Sequence, residues 1–225
     1  MDVIAPVDPP EDVVEQLATL TLDPARPLLA VDVDEVIVGL AAHLGDYARE
    51  QGFDLRLTAY RLNGALWRGD GTEASREEFQ DLFRRFFETQ TRHQRAYPGA
   101  AQAMRTLSRD MQVIILTNVP FYAREDRVAN LAGHGIDYPL IANAGPKGPA
   151  LQWLSARAGR MAFIDDSPSQ LTSAAEHAPD VARIHFVGDD ALRGYLTDID
   201  AAQHRAADWA ELHGVVERVM MATDP

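Results

Sequence analysis

The chain has 225 residues, enough for one large domain or a domain with a sizeable insertion, and its 46% hydrophobic and 24% charged content is that of an ordinary soluble globular protein. A formal net charge of −13 argues against non-specific binding to nucleic acid polymers or to anionic membranes. The absence of cysteine excludes disulfides, thiolate metal sites and cysteine nucleophiles. Asp2, Asp8, Glu11 and Asp12 make the N-terminus unlike a targeting signal. No apolar run reaches the ~20 residues that span a bilayer, so a soluble, cytoplasmic protein is expected.

In chain order, residues 1–10 read as a loose arm with Pro6, Pro9 and Pro10, and EDVVEQLATL (11–20) as a short amphipathic helix stopped by DPARP (23–27). LLAV (28–31) opens the most apolar strand, yet Asp32, Asp34 and Glu35 interrupt the run LLAVDVDEVIVGL (28–40). From Gly39 to about Arg95 the patterning is helical with little strand. VGLAAHLGDYAREQ (38–51) and ASREEFQDLFRRFFETQ (74–90) carry apolar residues at helical spacing, and the Gly-rich NGALWRGDGT (63–72) between them reads as a loop. After the turn YPGA (97–100) the rhythm changes. A helix (100–110), strand (111–118), helix (121–135), short strand (138–143), helix (148–158), strand (160–166), helix (167–178) and strand (181–188) follow, with helix candidates at 190–197 and about 201–221. This alternation predicts an α/β fold, a mainly parallel sheet covered on both faces. There is no internal repeat or low-complexity tract.

Open parallel sheets bind ligands at the carboxyl ends of their strands. At those ends stand Asp32 and Asp34, then Thr117 and Asn118, then Lys147 in GPKG, then Asp165 and Asp166. Singly, a strand-terminal Asp serves equally well as a helix cap or turn former, Thr117–Asn118 as turn chemistry, and Lys147 as solvated surface. Their order and placement together point to a site.

That ordered set resembles the haloacid dehalogenase superfamily, whose members are mostly phosphatases. Its motifs are matched by Asp32-Val33-Asp34-Glu35-Val36 after an apolar strand, by Thr117 in VIILTN, by Lys147 near a helix start and by the acidic pair closing MAFIDD, so the likeness covers about residues 28–188. A receiver domain also uses acids, a Thr and a Lys, but its acidic pair comes first and its Lys last. The resemblance implies a Rossmann-like three-layer α/β/α core with a mainly parallel sheet, formed by residues 1–37 and 97–225. It also implies a helical cap, residues 38–96, inserted after the first strand and lying over the site.

The implied activity is that of a Mg²⁺-dependent phosphatase acting on a small phosphorylated metabolite through an aspartyl-phosphate. A carboxylate cluster repels a phosphate dianion unless a cation intervenes, and carboxylate oxygens select hard cations such as Mg²⁺. Asp32, the Asp34 backbone carbonyl and Asp166 are the expected metal ligands, with Asp165 orienting a ligand water or Lys147. Asp32 is the expected nucleophile, and Asp34 the general acid and then base. Thr117 and Lys147 are expected to hold the phosphoryl oxygens, and Asn118 to add a phosphate or substrate contact. Asp34 separates this chemistry from dehalogenation, because dehalogenating relatives lack an acid at that place. Glu35 falls where the motif leaves the residue free and is assigned no catalytic role. Transfer to another acceptor, as in a mutase, and a binding or regulatory member without turnover are the alternatives. The insert's arginines (Arg61, Arg68, Arg76, Arg84, Arg85, Arg92) are expected mostly on solvated faces, Trp67 as an anchor between cap and core, and His134 and His185 in structural places.

Overall fold

The computed structural model describes residues 8–62, 64–196 and 199–221, so most of the expected N-terminal arm lies outside the described residues. In chain order the elements of the first half are α1 (Glu11–Ala18), β1 (Leu28–Val31), α2 (Ala41–Glu50), β2 (Phe53–Leu55), β3 (Leu66–Arg68), α3 (Arg76–Gln90) and α4 (Ala100–Leu107). They are followed by β4 (Gln112–Thr117), α5 (Arg124–Gly133), β5 (Leu140–Ala142), α6 (Gly148–Ser155), β6 (Met161–Asp165), α7 (Pro168–His177), β7 (Ala182–Phe186), α8 (Asp190–Arg193), β8 (His204–Ala206) and α9 (Trp209–Met221).

Six strands form one sheet in the order β5-β4-β1-β6-β7-β8, and every neighbouring pair is parallel. Successive strand residues point to opposite faces, and a central parallel strand is covered on both. β1 shows this directly. Leu29 and Val31 join Val113, Ile115 and Ile164 under α4 and α9, while Leu28 and Ala30 join Ile114, Leu116 and Phe163 under α1, α6 and α7. The three layers expected from the alternation are therefore present. Val31 pairs with Ile115 on one side and Ile164 on the other, so β4, β1 and β6 deliver their carboxyl ends side by side.

The segment between β1 and α4 departs from an all-helical reading. α2 and α3 form as expected, the latter opened by a reciprocal Ser75–Glu78 capping box. Between them β2 and β3 pair antiparallel, Phe53 opposite Arg68 and Leu55 opposite Leu66. Runs of three residues are too short to display strand alternation, and β3 falls inside the stretch read as a Gly-rich loop. Trp67 lies in this hairpin with the Arg56 guanidinium 5.1 Å from its ring, a contact between two residues of the 38–96 segment. Near the C-terminus the expected helix over about 201–221 divides into β8 and the shorter α9. No described helix is long and apolar enough to cross a membrane.

One glycine holds the site's framework. The Gly148 N–H donates to Ser173 Oγ at 3.0 Å, and an added Cβ would overlap the Ser173 carbonyl oxygen and hydroxyl. That neighbour is backbone of α7 and cannot rotate away. Gly148→Ala is expected to cost about 1–3 kcal/mol in chemical denaturation. An unchanged midpoint would show that α6 and α7 separate freely.

Candidate active site

Strand ends and one helix start set the site residues. The sheet ladder continues past β1 through Asp32 N–H to the Ile164 carbonyl at 3.0 Å. The chain then turns, with the amides of Val36, Ile37 and Val38 all donating to the Val33 carbonyl while Val33, Val36, Ile37 and Val38 stay fully buried. This tight turn fixes Asp32 and Asp34 at the mouth of the sheet. Thr117 closes β4 and Asp165 closes β6, both fully buried. Lys147 immediately precedes α6 and is only 2% exposed.

These residues meet. Lys147 Nζ lies 2.6 Å from Asp32 Oδ1 and 2.6 Å from Asp165 Oδ2, bridging the two carboxylates. Asp165 Oδ1 also accepts from the Ser167 amide at 2.8 Å. Asp32, Asp165 and Asp166 each offer an oxygen within 4.8 Å of the others. Three convergent carboxylate oxygens form a donor set suited to a hard divalent cation. Asp34 stands beside them, its Oδ1 held by Arg127 Nη2 at 2.6 Å. The Thr117 hydroxyl is buried with no partner among the described residues, a position in which a ligand oxygen would satisfy it. Asn118 lines the same cleft, but its side-chain amide donates to the Gly145 carbonyl at 2.8 Å and accepts from Asn143 at 2.8 Å.

Burial is the largest influence on these acids. It pushes the carboxyls of Asp34, Asp165 and Asp166 upward; Arg127 opposes it at Asp34, Lys147 at Asp165, and the Tyr60 hydroxyl, ahead of Lys147, at Asp166. Burial also acts to lower Lys147, but Asp165 and Asp32 more than reverse it and leave the ammonium above its ordinary range.

Several contributors have no place in the motifs. Glu35 is buried at φ +60°, and its Oε1 accepts from the amides of Leu40 at 3.0 Å and Ala41 at 2.5 Å, holding the start of α2. Tyr97 donates to its other oxygen at 2.5 Å. These bonds compensate a backbone conformation that a Cβ disfavours. Burial raises this carboxyl to about 7 despite the bonds from Tyr97 and Ala41. Tyr60, from the insertion, donates to Asp166 Oδ2. His185 Nε2 lies 3.1 Å from the Asp166 carbonyl and His134 Nε2 lies 2.9 Å from the Gln94 carbonyl, both backbone contacts. The cleft over the carboxylates has a volume of about 320 Å³, and its insertion side is Leu40, Phe83 and Phe87. Arg68, Arg84, Arg85 and Arg92 are paired with Glu78, Asp81, Glu88 and Asp126, and none of these arginines lines that cleft.

No protein-family model and no curated protein sequence matches the chain. Solved structures do. One is a HAD family hydrolase from Deinococcus radiodurans R1 with bound phosphate and sodium, 15% identical, covering 90% of this chain and 100% of its own, with a TM-score of 0.59. A haloacid dehalogenase-like hydrolase from Streptococcus pneumoniae is 15% identical, covers 85% of this chain and 98% of its own, and has a TM-score of 0.57. An L-2-haloacid dehalogenase is 12% identical, covers 85% of this chain and 100% of its own, and has a TM-score of 0.54. The parallel sheet order, the residues gathered at its carboxyl edge and these likenesses agree: the chain has the α/β fold of the haloacid dehalogenase-like hydrolases.

Proposed function

We propose that the chain is a Mg²⁺-dependent phosphatase that hydrolyses a small phosphorylated metabolite through an aspartyl-phosphate at Asp32. The observation that carries this reading is Lys147 Nζ, 2.6 Å from both Asp32 and Asp165, beside three carboxylates whose oxygens converge within 4.8 Å. One ammonium cannot balance that cluster together with an incoming phosphate. A second cation can, and carboxylate oxygens favour Mg²⁺. Asp32, the Asp34 carbonyl and Asp166 would hold it, while Asp165, already bonded to Lys147 and Ser167, orients the lysine. When bound, Mg²⁺ neutralises and orients phosphate oxygens.

The residues then divide the chemistry. An Asp32 oxygen bonds to phosphorus as the bond to the leaving oxygen breaks, and Asp34 supplies the proton that oxygen takes. Asp34, now a carboxylate, takes a proton from water as the water oxygen attacks phosphorus. Cleavage of the Asp32 oxygen–phosphorus bond releases inorganic phosphate. Lys147 and the Thr117 hydroxyl hold the transferring oxygens, where charge develops.

Residues 38–96 serve as the cap in this reading, since Leu40, Tyr60, Phe83 and Phe87 come from them to the site. Their wall is apolar, and Arg61 lines the adjoining cavity instead. Esters with a neutral, apolar leaving group are therefore expected to show higher kcat/KM than esters carrying a second phosphate. Phosphate release from a panel of monoesters, with Mg²⁺ and with EDTA, tests all of this. Turnover that EDTA stops is the expected result. Absence of release from every ester overturns the reading, and turnover indifferent to EDTA removes the metal from it. Phosphate passed to an added sugar in preference to water would make the chain a transferase.

A further inference from the structure

Arg127 heads the largest fully buried side chains, and no motif accounts for it. Burying a guanidinium is costly unless its donors are met. Few of them are. Nη2 donates to Asp34 Oδ1 at 2.6 Å, Nη1 reaches Asn130 Oδ1 at 3.4 Å, and Nε has no partner among the described residues. An arginine serving stability alone would be better satisfied, so its burial is accounted for by Asp34. Gln94 Nε2 approaches the same Asp34 oxygen at 3.4 Å. Both contacts fall on Oδ1 and leave Oδ2 for other bonding.

We propose that Arg127 is a positioning residue for Asp34: it anchors Oδ1 so that Oδ2 faces the leaving oxygen of a phosphate ester. The inference rests on the phosphatase reading and adds a group outside the four motifs. The helix that carries Arg127 is suited to the task. Arg127 and Asn130 stand at i and i+3 on one face of α5, and His134, the residue that ends the helix, follows at i+7. Asn130 Nδ2 donates to the carbonyls of Gln94 at 2.7 Å and Arg92 at 3.2 Å, and His134 Nε2 lies 2.9 Å from the Gln94 carbonyl. That face fixes both the catalytic carboxylate and the segment by which the chain returns from the insertion. Asp34 is thereby held from the core by Arg127 and from the insertion's exit by Gln94.

Leaving-group dependence tests the role. When the phosphorus–oxygen bond of dinitrophenyl phosphate breaks, the electron pair goes to a phenolate that needs no proton. An alkyl phosphate releases an alkoxide that does. In Arg127→Met, kcat/KM with Mg²⁺ is expected to fall at least about tenfold further on the alkyl ester than on the dinitrophenyl ester, part of the ~10²–10⁴ that a general acid supplies. Arg127→Lys is expected to recover part of that difference. In an Asp34→Asn background, Arg127→Met is expected to leave the ratio between the two esters unchanged, because the group it positions is gone. Equal losses on both esters overturn the proposal, as does an undiminished ratio effect without Asp34. Where circular dichroism shows Arg127→Met to be unfolded, the same ratio in Arg127→Lys decides. Failure of the unsubstituted protein to hydrolyse either ester strikes the phosphatase reading itself and takes this inference with it, a failure distinct from equal losses.

Discussion

Asp32→Asn is expected to lower kcat/KM for an aryl phosphate by ~10³-fold or more, with little change in folding. The amide keeps the shape of the carboxylate and one oxygen that can accept from Lys147, which retains Asp165 at 2.6 Å. What disappears is the charged oxygen that bonds to phosphorus. Asp32 is only 6% exposed, so a water molecule cannot readily take its place in line with the ester. Steady-state phosphate release alongside a thermal melt checks both halves of the expectation. Full activity in the variant would sink the nucleophile assignment.

The second expectation concerns pH. Metal-free protein should lose stability as pH rises from about 4 toward neutrality. An acid whose folded value lies above its unfolded value keeps its proton in the folded chain after the unfolded chain has released it. The folded state then binds more protons, and the free energy of unfolding falls as pH rises. Asp34, Glu35, Asp165 and Asp166 all lie on that side, with burial the largest cause for each. For Glu35, at about 7 against an ordinary 4.5, the gap corresponds to about 3 kcal/mol lost across that interval. Lys147, held above its ordinary 10.5, is charged throughout and contributes equally at both ends. Denaturant midpoints measured in EDTA should therefore fall with rising pH, and Glu35→Gln should flatten part of the slope. Added Mg²⁺ should stabilise more at the alkaline end, because a cation then occupies carboxylates that no proton holds. A midpoint that climbs over the same range in EDTA would contradict the burial of this cluster.

What was legible in the sequence follows from how each contact is encoded. Asp32, Thr117 and the Asp165–Asp166 pair stand at strand ends, and Lys147 at a helix start, in a fixed order, so apolar runs and punctuation were enough to bring them together. Arg127 was not legible. Its partner Asp34 is 93 residues away, and REDRVAN looks like any charged helix start. Glu35 carried a weak signal, an acid flanked by buried residues on both sides that something had to bond. Only the fold shows that the amides of Leu40 and Ala41 do so. Tyr60 had no signal, since its reach to Asp166 depends on how the insertion lies over the sheet. The missed strands β2, β3 and β8 are each three residues long, where pairing with a neighbour decides the conformation and local pattern does not.

During synthesis, β1 leaves the ribosome well before either strand it pairs with. Ile164, the partner of Val31, is made 133 residues later. At ~5–20 residues per second this delay is about 7–27 s, during which Leu28–Val31 has no β6 beside it. Asp32 meanwhile has neither Lys147 nor Asp165 nearby, and in open water its charge costs nothing. The repulsion between Asp32 and the Asp165–Asp166 pair arises only when β6 docks, after β4 and Lys147 have been made. The lysine that balances those acids is thus made 18 residues ahead of Asp165, the first of the last pair.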